Sequence, residues 1–292
     1  MAESLRDIKR KSQAVEKTKQ ITRAMNMVAA SKLKNAQTRM ENFKPYADKV
    51  MEVLNSLASR ITSTTNPLLA VREPNRIRIM MMTSDRGLCG GFNTNTLKMV
   101  DGFIRERKKE GKDVALITVG KKGRDYFRRK ENVMAQHIDV LGSFDMSLAV
   151  TLGEDVIPAF IAEEYDELYI AYNEFRNVAS QRPTIVKLLP LSPEDFSDER
   201  GEVFGGYIYE PSEEELLAQI VPMYLKVQTF NALLQTSAGE HAARMVAMEN
   251  ATSNCEEMIE SLTLKFNKAR QAAITAELMD IVGGTEALAK SS

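Results

Sequence analysis

The sequence contains no tryptophan and only two cysteines, Cys89 and Cys255, among its 292 residues. The cysteines are far apart and form no C-x-x-C motif, so we expect neither a disulfide framework nor a thiolate metal site. The two histidines, His137 and His241, have no neighbouring ligands at metal-binding spacing. His241 falls where a hydrogen-bonded core histidine is expected. We therefore assign no metal and no cofactor.

Long apolar runs are also missing. No uncharged apolar stretch approaches the roughly 18 residues that a membrane-spanning helix needs. The first residues, Met1 to Lys11, carry charges every few positions and lack the apolar region of a secretory signal. We expect a soluble chain in a reducing compartment. No segment resembles a nucleophile elbow or an acid–base pair, so the sequence predicts a chain that is not an enzyme.

The net charge of −1 conceals two regions of opposite charge. Residues 1–44 contain 11 Lys and Arg against 4 Asp and Glu, whereas residues 151–215 contain 4 against 16. A basic arm suits a solvated helix face, nucleic acid, an acidic membrane surface or an acidic protein. Phe43 is the only aromatic residue in this range and Tyr46 follows just beyond it, which disfavours single-strand nucleic-acid binding.

One long amphipathic helix is predicted for residues 1–61. From Leu33 onward every third or fourth residue is apolar, which is the spacing of a coiled-coil seam. Pro45 removes a backbone donor, but the apolar frame continues through it without a change of phase, so we expect a bend and not an end. Toward the N-terminus half of the seam is polar and cannot form a simple hydrophobic zipper. The seam positions are Leu5, Ile8, Ser12, Val15, Lys19, Thr22, Asn26, Ala29, Leu33, Ala36, Met40, Phe43, Ala47, Val50, Leu54, Leu57 and Ile61.

A second long helix is predicted after Pro211, where Ser212 and Glu215 form a capping-box pattern. Its seam is apolar at 15 of 18 positions, and Gly283-Gly284 is expected to end the helix. The seam positions are Leu217, Ile220, Tyr224, Val227, Asn231, Leu234, Ala238, His241, Met245, Met248, Thr252, Cys255, Ile259, Leu262, Phe266, Ala269, Ala273 and Ala276.

The two helices would be roughly 85 and 105 Å long, far beyond the usual length in a globular domain. Because the segment between them joins the end of one helix to the start of the other, the simplest pairing is an antiparallel coiled coil. At the end that carries the chain termini, a polar seam meets small residues such as Ala269 and Ala273. We expect this end to be slim and partly exposed.

Between the helices, apolar runs alternate with helical patterns, which is typical of an α/β domain with a mainly parallel sheet. The predicted strands are Ile77–Met82, Val114–Val119, Leu168–Tyr172 and Ile185–Leu189, and the helical patterns lie near residues 94–109, 121–129 and 147–164. The fold class is thus α/β plus a long antiparallel coiled coil, a rod formed by the N- and C-terminal helices. The predicted divisions are a coiled-coil helix 1–61, a linker 62–75, the α/β domain 76–190, an acidic loop 191–211, a second coiled-coil helix 212–284 and a tail 285–292.

Residues 84–93, Ser-Asp-Arg-Gly-Leu-Cys-Gly-Gly-Phe-Asn, lie between a predicted strand and a predicted helix, where an α/β fold can cradle phosphate. The segment matches neither G-x-G-x-x-G nor G-x-x-x-x-G-K-[ST]. No lysine follows the glycines at the spacing that nucleotide phosphates need. A structural turn is therefore favoured over a ligand loop, and direct nucleotide binding is not expected.

Met25 and Met27 lie in the polar-seamed part of the first helix, among basic residues that include Lys19 and Arg23. Methionine together with cationic side chains favours a contact between this segment and another protein. Packing of the methionines on the second helix explains the pattern equally well, and both interpretations stay open.

Several segments together resemble the gamma subunits of F-type ATP synthases. They are residues 18–33, 84–93, 240–248 and 267–284, which occur in the expected order and span essentially the whole chain. Thr285 departs from the alanine that usually follows the Gly pair in the family, and the dithiol insertion of chloroplast members is absent.

The resemblance implies a bent antiparallel coiled coil inside a ring of alternating alpha and beta subunits, with the α/β domain near the membrane c-ring and the epsilon subunit. It implies a central rotor shaft that transmits torque between the proton-driven ring and the catalytic hexamer, coupling proton translocation to ATP synthesis or hydrolysis. Such a chain performs no bond chemistry. It would be peripheral on the cytoplasmic face of the bacterial plasma membrane.

The resemblance also implies which residues contact partners. Met25, Arg244, Gln271, Thr275 and Glu277 correspond to positions that contact the catalytic ring, and Arg23 lies in the same basic segment as Met25. Tyr207 corresponds to a region that meets the epsilon subunit and the membrane ring. Two other functions compete: a nucleic-acid-binding coiled-coil protein that uses the basic arm, and a nucleotide-dependent enzyme that uses the loop of residues 87–91.

Overall fold

The computed structural model describes residues 4–58, 66–191 and 213–291. The chain divides into two compact units. The helical unit consists of Met1–Val28 and Met245–Ser292, and the α/β unit consists of Ala29–Arg244. Two long helices, α1 (Leu5–Ala58) and α5 (Glu213–Ser291), each contribute residues to both units. The α/β unit therefore includes helical segments that the sequence analysis assigned to the coiled coil alone.

The α/β unit is built on a five-stranded sheet. The strands are β1 (Arg76–Met82), β2 (Asp113–Val119), β3 (Asn132–His137), β4 (Glu167–Phe175) and β5 (Gln181–Leu189). The shorter helices are α2 (Phe92–Lys109), α3 (Lys121–Phe127), α4 (Met146–Ile161) and a 3-10 helix, Pro67–Leu69. The strand order is β3-β2-β1-β4-β5, and only β4 and β5 pair antiparallel. The prediction of a mainly parallel sheet is confirmed.

Both faces of this sheet are covered by helices. On one face, Ile77 of β1 belongs to an apolar cluster with residues of α2 and α3, such as Phe127. On the other face, Met80 joins a larger cluster with α1, α4 and α5, to which Phe160 and Leu233 belong. Central parallel strands buried on both faces need nearly continuous apolar sequence, which is why β1 and β2 were recognisable as runs.

Strand β3 was missed by the sequence analysis. It lies at the edge of the sheet, and its residues alternate between exposed and half-buried along the strand. Its half-buried residues are Val133, Ala135 and His137. The segment has no apolar run because one side of it faces solvent. A search for alternation with a period of two, and not for apolar runs, would have found it.

Helix α1 follows the predicted seam closely. Every predicted seam position from Leu5 to Leu54 is buried or half-buried, and the helix continues through Pro45. The predicted end of the helix at Ile61 lies outside the described residues. The frame read from apolar spacing alone therefore identified the packed side of α1, including its polar positions.

Helix α5 agrees with the predicted seam over most of its length. The seam positions from Leu217 to Ala269 are buried or half-buried, whereas Ala273 and Ala276 are exposed. Between Tyr224 and Ala242 no residue of the helix is exposed on any side. The predicted seam covers only some positions of that stretch, but this part of α5 contributes to the core of the α/β unit and is buried or half-buried all round.

The prediction that Gly283-Gly284 ends helix α5 is wrong, because the helix runs to Ser291. Glycine in a helix costs about 1 kcal/mol relative to alanine, which weakens a long helix without ending it. A Cβ added at Gly283 would meet nothing within 4 Å, so no packing depends on this glycine. The hydroxyl of Thr285 donates to the carbonyl of Val282 at 2.8 Å within the continuing helix.

In the helical unit the two long helices pair antiparallel. The amide of Asn26 donates to the carbonyl oxygen of Met245 at 2.9 Å, and the hydroxyl oxygens of Thr22 and Thr252 lie 2.8 Å apart. Residue numbers on α1 fall as those on α5 rise, which confirms the predicted direction. None of the described helices contains an apolar stretch long and uncharged enough to span a lipid bilayer.

Candidate interaction surfaces

The seam of the helical unit is held partly by polar contacts. Thr22 is 8% exposed, and its hydroxyl bonds both to Thr252 and to the carbonyl oxygen of Lys19. The ammonium group of Lys19 lies 3.1 Å from a carboxylate oxygen of Glu256. Polar contacts at seam positions select the register of two helices at some cost in stability. The polar half of the seam is therefore a defined interface with its own hydrogen bonds.

Around this seam, α1 exposes a mixed apolar and cationic surface. Met25 is half-buried and Arg23 is exposed. Large apolar side chains beside them face solvent: Ile21 is 59% exposed, Met27 63% and Val28 57%. Exposed apolar groups next to cations suit contact with a partner that offers apolar surface and acidic groups. The packing interpretation of the two methionines fits Met25 better than Met27.

The C-terminal part of α5 exposes a second surface of the helical unit. The predicted contact residues Gln271, Thr275 and Glu277 are all exposed, and the Thr275 hydroxyl donates to the carbonyl of Gln271 at 2.9 Å. Large apolar side chains accompany them, each at least 50% exposed: Ile274, Leu278, Met279, Ile281 and Val282. Isolated exposed apolar residues are ordinary, but five within nine residues of one helix indicate a surface that another molecule covers.

The α/β unit carries the loop of residues 84–93 between β1 and α2. The side chain of Asn93 closes this loop: its oxygen accepts from the Ser84 amide at 2.9 Å, and its nitrogen donates to the Ser84 hydroxyl at 2.7 Å. The Ser84 hydroxyl in turn donates to the carbonyl of Arg86 at 2.6 Å. The loop is therefore closed by its own side chains, as expected for a structural turn.

Neighbouring elements of the α/β unit also hold the start of the loop. A carboxylate oxygen of Asp85 accepts from the backbone amides of Lys121, at 3.0 Å, and Asp139, at 2.9 Å. Gly120 directly follows β2 and has a φ of 96°. A Cβ there would lie 1.9 Å from the carbonyl oxygen of Thr83, the residue before the loop. Only glycine fits this approach.

The tip of the loop projects two side chains into solvent. Arg86 is exposed, and Leu88 is 64% exposed with a φ of 63°, a left-handed conformation that is rare for leucine. Cys89 next to it is buried. Burial raises the pKa of the Cys89 thiol, so the protonated form is favoured and the group is a poor nucleophile.

Arg244 of α5 binds this loop within the α/β unit. One guanidinium nitrogen lies 2.7 Å from a carboxylate oxygen of Glu240, 3.2 Å from the carbonyl oxygen of Gly87 and 3.4 Å from that of Arg86. The side chains of Arg244 and Glu240 are only 11% and 9% exposed. Burial raises the pKa of the Glu240 carboxyl, and the charge of Arg244 opposes that shift.

His241 is half-buried, and burial with the nearby charges of Arg244 and Lys32 lowers its pKa to about 4. Its Nδ1 has no hydrogen-bond partner among the described residues, so this ring nitrogen does not make the hydrogen bond expected of a core histidine. Within the described ranges 4–58, 66–191 and 213–291, no three His, Cys, Asp or Glu side chains are grouped as a metal site.

The structure thus distributes the predicted contact residues. Arg23, Met25 and the α5 group of Gln271, Thr275 and Glu277 belong to the helical unit. Arg244 belongs to the α/β unit, and Tyr207 lies outside the described residues. Sequence analysis missed Glu240, the partner of Arg244. An acid four residues before an arginine on a helix is a recognisable ion-pair spacing that could have indicated it.

The chain also matches a known protein family. A family model described as ATP synthase matches residues 4–288. The ATP synthase gamma chain of Syntrophus aciditrophicus is 60% identical over 288 residues, which cover 98% of this chain and 99% of that protein. The ATP synthase gamma chain of Maridesulfovibrio salexigens is 50% identical over 289 residues, with the same coverage.

Solved structures show the same fold. A chain from the central stalk and c-ring structure of Tetrahymena thermophila mitochondrial ATP synthase is 27% identical, with a TM-score of 0.60, and covers 79% of this chain and 99% of its own. A chain from Euglena gracilis mitochondrial ATP synthase is 22% identical, with a TM-score of 0.68, and covers 97% and 94%. Near-complete coverage, high identity and the matching fold agree: this chain belongs to the family of ATP synthase gamma chains.

Proposed function

We propose that this chain is the central rotor shaft of an F-type ATP synthase, which transmits torque between a proton-driven membrane ring and a catalytic hexamer. The observation that carries the proposal is the family membership over residues 4–288. The antiparallel pairing of α1 with α5 and the exposed apolar residues of α5 support it, because a shaft needs two long helices and a surface that its surroundings cover.

The alpha and beta subunits of the hexamer are the proposed partners of the helical unit. Arg23 and Met25 on α1, and Gln271, Thr275 and Glu277 on α5, are the residues that would contact them. Their exposure supports this assignment for all but the half-buried Met25. Arg244 is proposed to act on the partner contact through the loop that it binds. Tyr207, by resemblance, would lie where the epsilon subunit and the c-ring meet this chain.

The proposed mechanism requires no bond chemistry from this chain. A rotor changes the affinity of surrounding nucleotide sites only if its contacts differ from one angle to the next. The helical unit meets that requirement, since α1 presents cations and methionines while α5 presents an amide, a hydroxyl and an acid among apolar residues. Nucleotides would bind to other subunits, and this chain would be non-catalytic.

The proposed location is the cytoplasmic face of the bacterial plasma membrane, where the chain would be peripheral and held by its partners. Two observations disfavour the competing functions. In the basic arm Lys19 is already paired with Glu256, and Arg244, beside the glycine loop, is already paired with Glu240 and with the carbonyl oxygen of Gly87.

The test is recovery of the native complex through an internal affinity tag. Both termini belong to the helical unit, so the tag is placed in the exposed turn of residues 177–180 between β4 and β5. We expect a stoichiometric ATPase of several subunits, whose coupling is lost when this chain is stripped out and restored when it is added back. Recovery of the chain alone, or with nucleic acid, would overturn the proposal. Untagged cells taken through the same purification are the control.

A further inference from the structure

The loop of residues 84–93 has a rigid base and an exposed tip. Its base is closed by Asn93, whereas Arg86 and Leu88 at the tip face solvent. No hydrogen bond from a side chain of the loop reaches the backbone of Gly87 among the described residues. The carbonyl of Arg86 accepts both from the Ser84 hydroxyl, at 2.6 Å, and from Arg244 of α5, at 3.4 Å. The carbonyl of Gly87 accepts from Arg244 at 3.2 Å.

Helix α5 approaches the loop closely at the same place. A Cβ on Gly239 would lie 3.0 Å from the ring of Phe92, the first residue after the glycines of the loop. The Gly239 position therefore lets α5 and the start of α2 touch, and Arg244 extends this contact along α5 to the tip. Helix α5 thus contacts the loop at two residues. Gly239 packs closely against Phe92, and Arg244 donates hydrogen bonds to the carbonyls at the tip.

Stability alone does not explain the buried ion pair of Arg244 and Glu240. Burying two charges costs several kcal/mol, and a well-packed apolar pair of similar volume is often as stable or more so. What apolar side chains cannot supply is donation to the carbonyl oxygens of Arg86 and Gly87. Glu240 keeps the guanidinium oriented toward them, since its oxygen is the nearest of the three acceptors.

We propose that Arg244 is a positioning residue for coupling: through the carbonyls of Arg86 and Gly87 it makes the loop tip follow helix α5. The side chains of Arg86 and Leu88 then keep a constant orientation to the part of α5 that carries Glu240 and Arg244. This inference rests on the proposed rotor function and gives a specific task to Arg244, which the family resemblance assigns to a partner contact.

The test compares variants in the assembled complex. Arg244→Met keeps the volume of the side chain and removes its donors, and Arg244→Lys keeps the charge with one compact donor group in place of the fork. The double variant Glu240→Gln/Arg244→Met also removes the charge that the single variant leaves unpaired. Arg129→Lys, at an exposed site on the α/β unit, is the matched control.

Two quantities are measured: hydrogen exchange of the amides of residues 86–89, and protons pumped per ATP hydrolysed. Loss of a charge-assisted hydrogen bond should speed local exchange by about tenfold or more in Arg244→Met and in the double variant. The pumping ratio should fall in both, with partial recovery in Arg244→Lys and no change in Arg129→Lys.

If Arg244 only fills space, the double variant Glu240→Gln/Arg244→Met will match the unsubstituted protein in both measurements, and the inference is overturned. A pumping ratio that stays unchanged while the loop exchanges faster also overturns it. In either case the unsubstituted chain still restores coupling to the stripped complex, so the rotor proposal survives. Failure of the unsubstituted chain to restore coupling would instead reject the rotor proposal.

Discussion

The two units of this protein use the same two helices in opposite ways. In the α/β unit α5 is buried on every side from Tyr224 to Ala242, and the sheet is covered on both faces. In the helical unit the seam is partly polar, and no residue of α5 from Gln271 to Gly283 is buried or half-buried. The α/β unit buries most of its apolar side chains in two clusters, although Val71 and Leu88 are exposed, whereas the C-terminal part of α5 in the helical unit exposes all of its large apolar side chains from Gln271 to Gly283.

This difference explains why a rotor can be both stable and responsive. A close-packed core resists small changes in volume and behaves as a rigid body. A helix pair with a partly polar seam has less apolar packing to offset the ordering entropy, so partners can change its contacts at low cost.

The largest expected effect is on the rigidity of the α/β unit. Gly120→Ala would place a Cβ 1.9 Å from the Thr83 carbonyl at a φ of 96°. Because this clash is with backbone, we expect the free energy of unfolding to fall by more than about 3 kcal/mol. Urea unfolding of the full chain, with hydrogen exchange of the β1 and β2 amides, measures it.

Gly111→Ala is the matched control for Gly120→Ala. Gly111 also has a positive φ, of 78°, but a Cβ there meets nothing within 4 Å. Its substitution should cost only the backbone strain, about 1 kcal/mol. Equal costs at both positions would show that the close approach of β2 to the loop is not tight, and the contrast between the units would weaken.

The next effect concerns the partner surface of the helical unit. Met25→Lys should leave the fold intact, because the residue is only half-buried, and should lower the protons pumped per ATP hydrolysed. An uncompensated charge at a desolvated contact costs on the order of 3 kcal/mol. Met25→Leu, which conserves volume and polarity, is the control. Unchanged ATP-driven pumping in Met25→Lys would contradict the assignment of Met25 to the contact.

A pH titration tests the burial of α5. The pKa of His241 lies below its usual value of 6.5, at about 4, because of burial and the charges of Arg244 and Lys32. A depressed folded-state pKa stabilises the protein above pH 6.5, and this contribution is lost as the pH falls from about 6.5 toward 4. We expect a loss of about 1–2 kcal/mol, discounted for the ring's partial exposure.

Nuclear magnetic resonance of the histidine ring protons gives the His241 midpoint directly, with His241→Gln identifying the signal. The same variant should remove most of the extra instability in urea unfolding between pH 6.5 and 4. A midpoint near 6.5 would show that this stretch of α5 is open to water, and the two units would then differ less than described.

The smallest effect is expected at the polar seam. Replacing both Thr22 and Thr252 by valine should be neutral or raise the free energy of unfolding of the helical unit by up to about 1 kcal/mol, because both partners become apolar together. Thr22→Val alone should lower it by up to about 1 kcal/mol, since the Thr252 hydroxyl loses one partner but keeps its bond to the carbonyl of Met248 at 2.8 Å. Hydrogen exchange along α1 measures both changes. A double variant less stable than Thr22→Val alone would contradict this account of the Thr22–Thr252 pair.

Much of the fold was readable from residue patterns. The 3-4 apolar spacing identified the packed side of α1 from Leu5 to Leu54, and apolar runs identified four of the five strands. The edge strand β3 and the true end of α5 were not readable in the same way. Edge strands carry only half of the apolar signal, and a pair of glycines changes helix stability by an amount that the rest of a long helix outweighs.

The candidate sites divide along the same line. Exposed contact residues such as Gln271 were assigned by resemblance, and the structure leaves them free to meet a partner. The contact of Arg244 with Arg86 and Gly87 joins residues more than 150 positions apart, at separations of 158 and 157. No local pattern encodes such a pairing, although the Glu240 spacing marks Arg244 as one member of an ion pair.

By itself, the sequence determined the helix frame, the parallel character of the sheet and the family, because each depends on local periodicity or on motifs that stay together along the chain. Only the tertiary structure decided which part of α5 is buried all round and which part is exposed. It also decided that the tip of the loop is held by α5. These outcomes depend on which distant segments of the chain pack together, because the burial of a residue is decided by that packing and not by the residue alone.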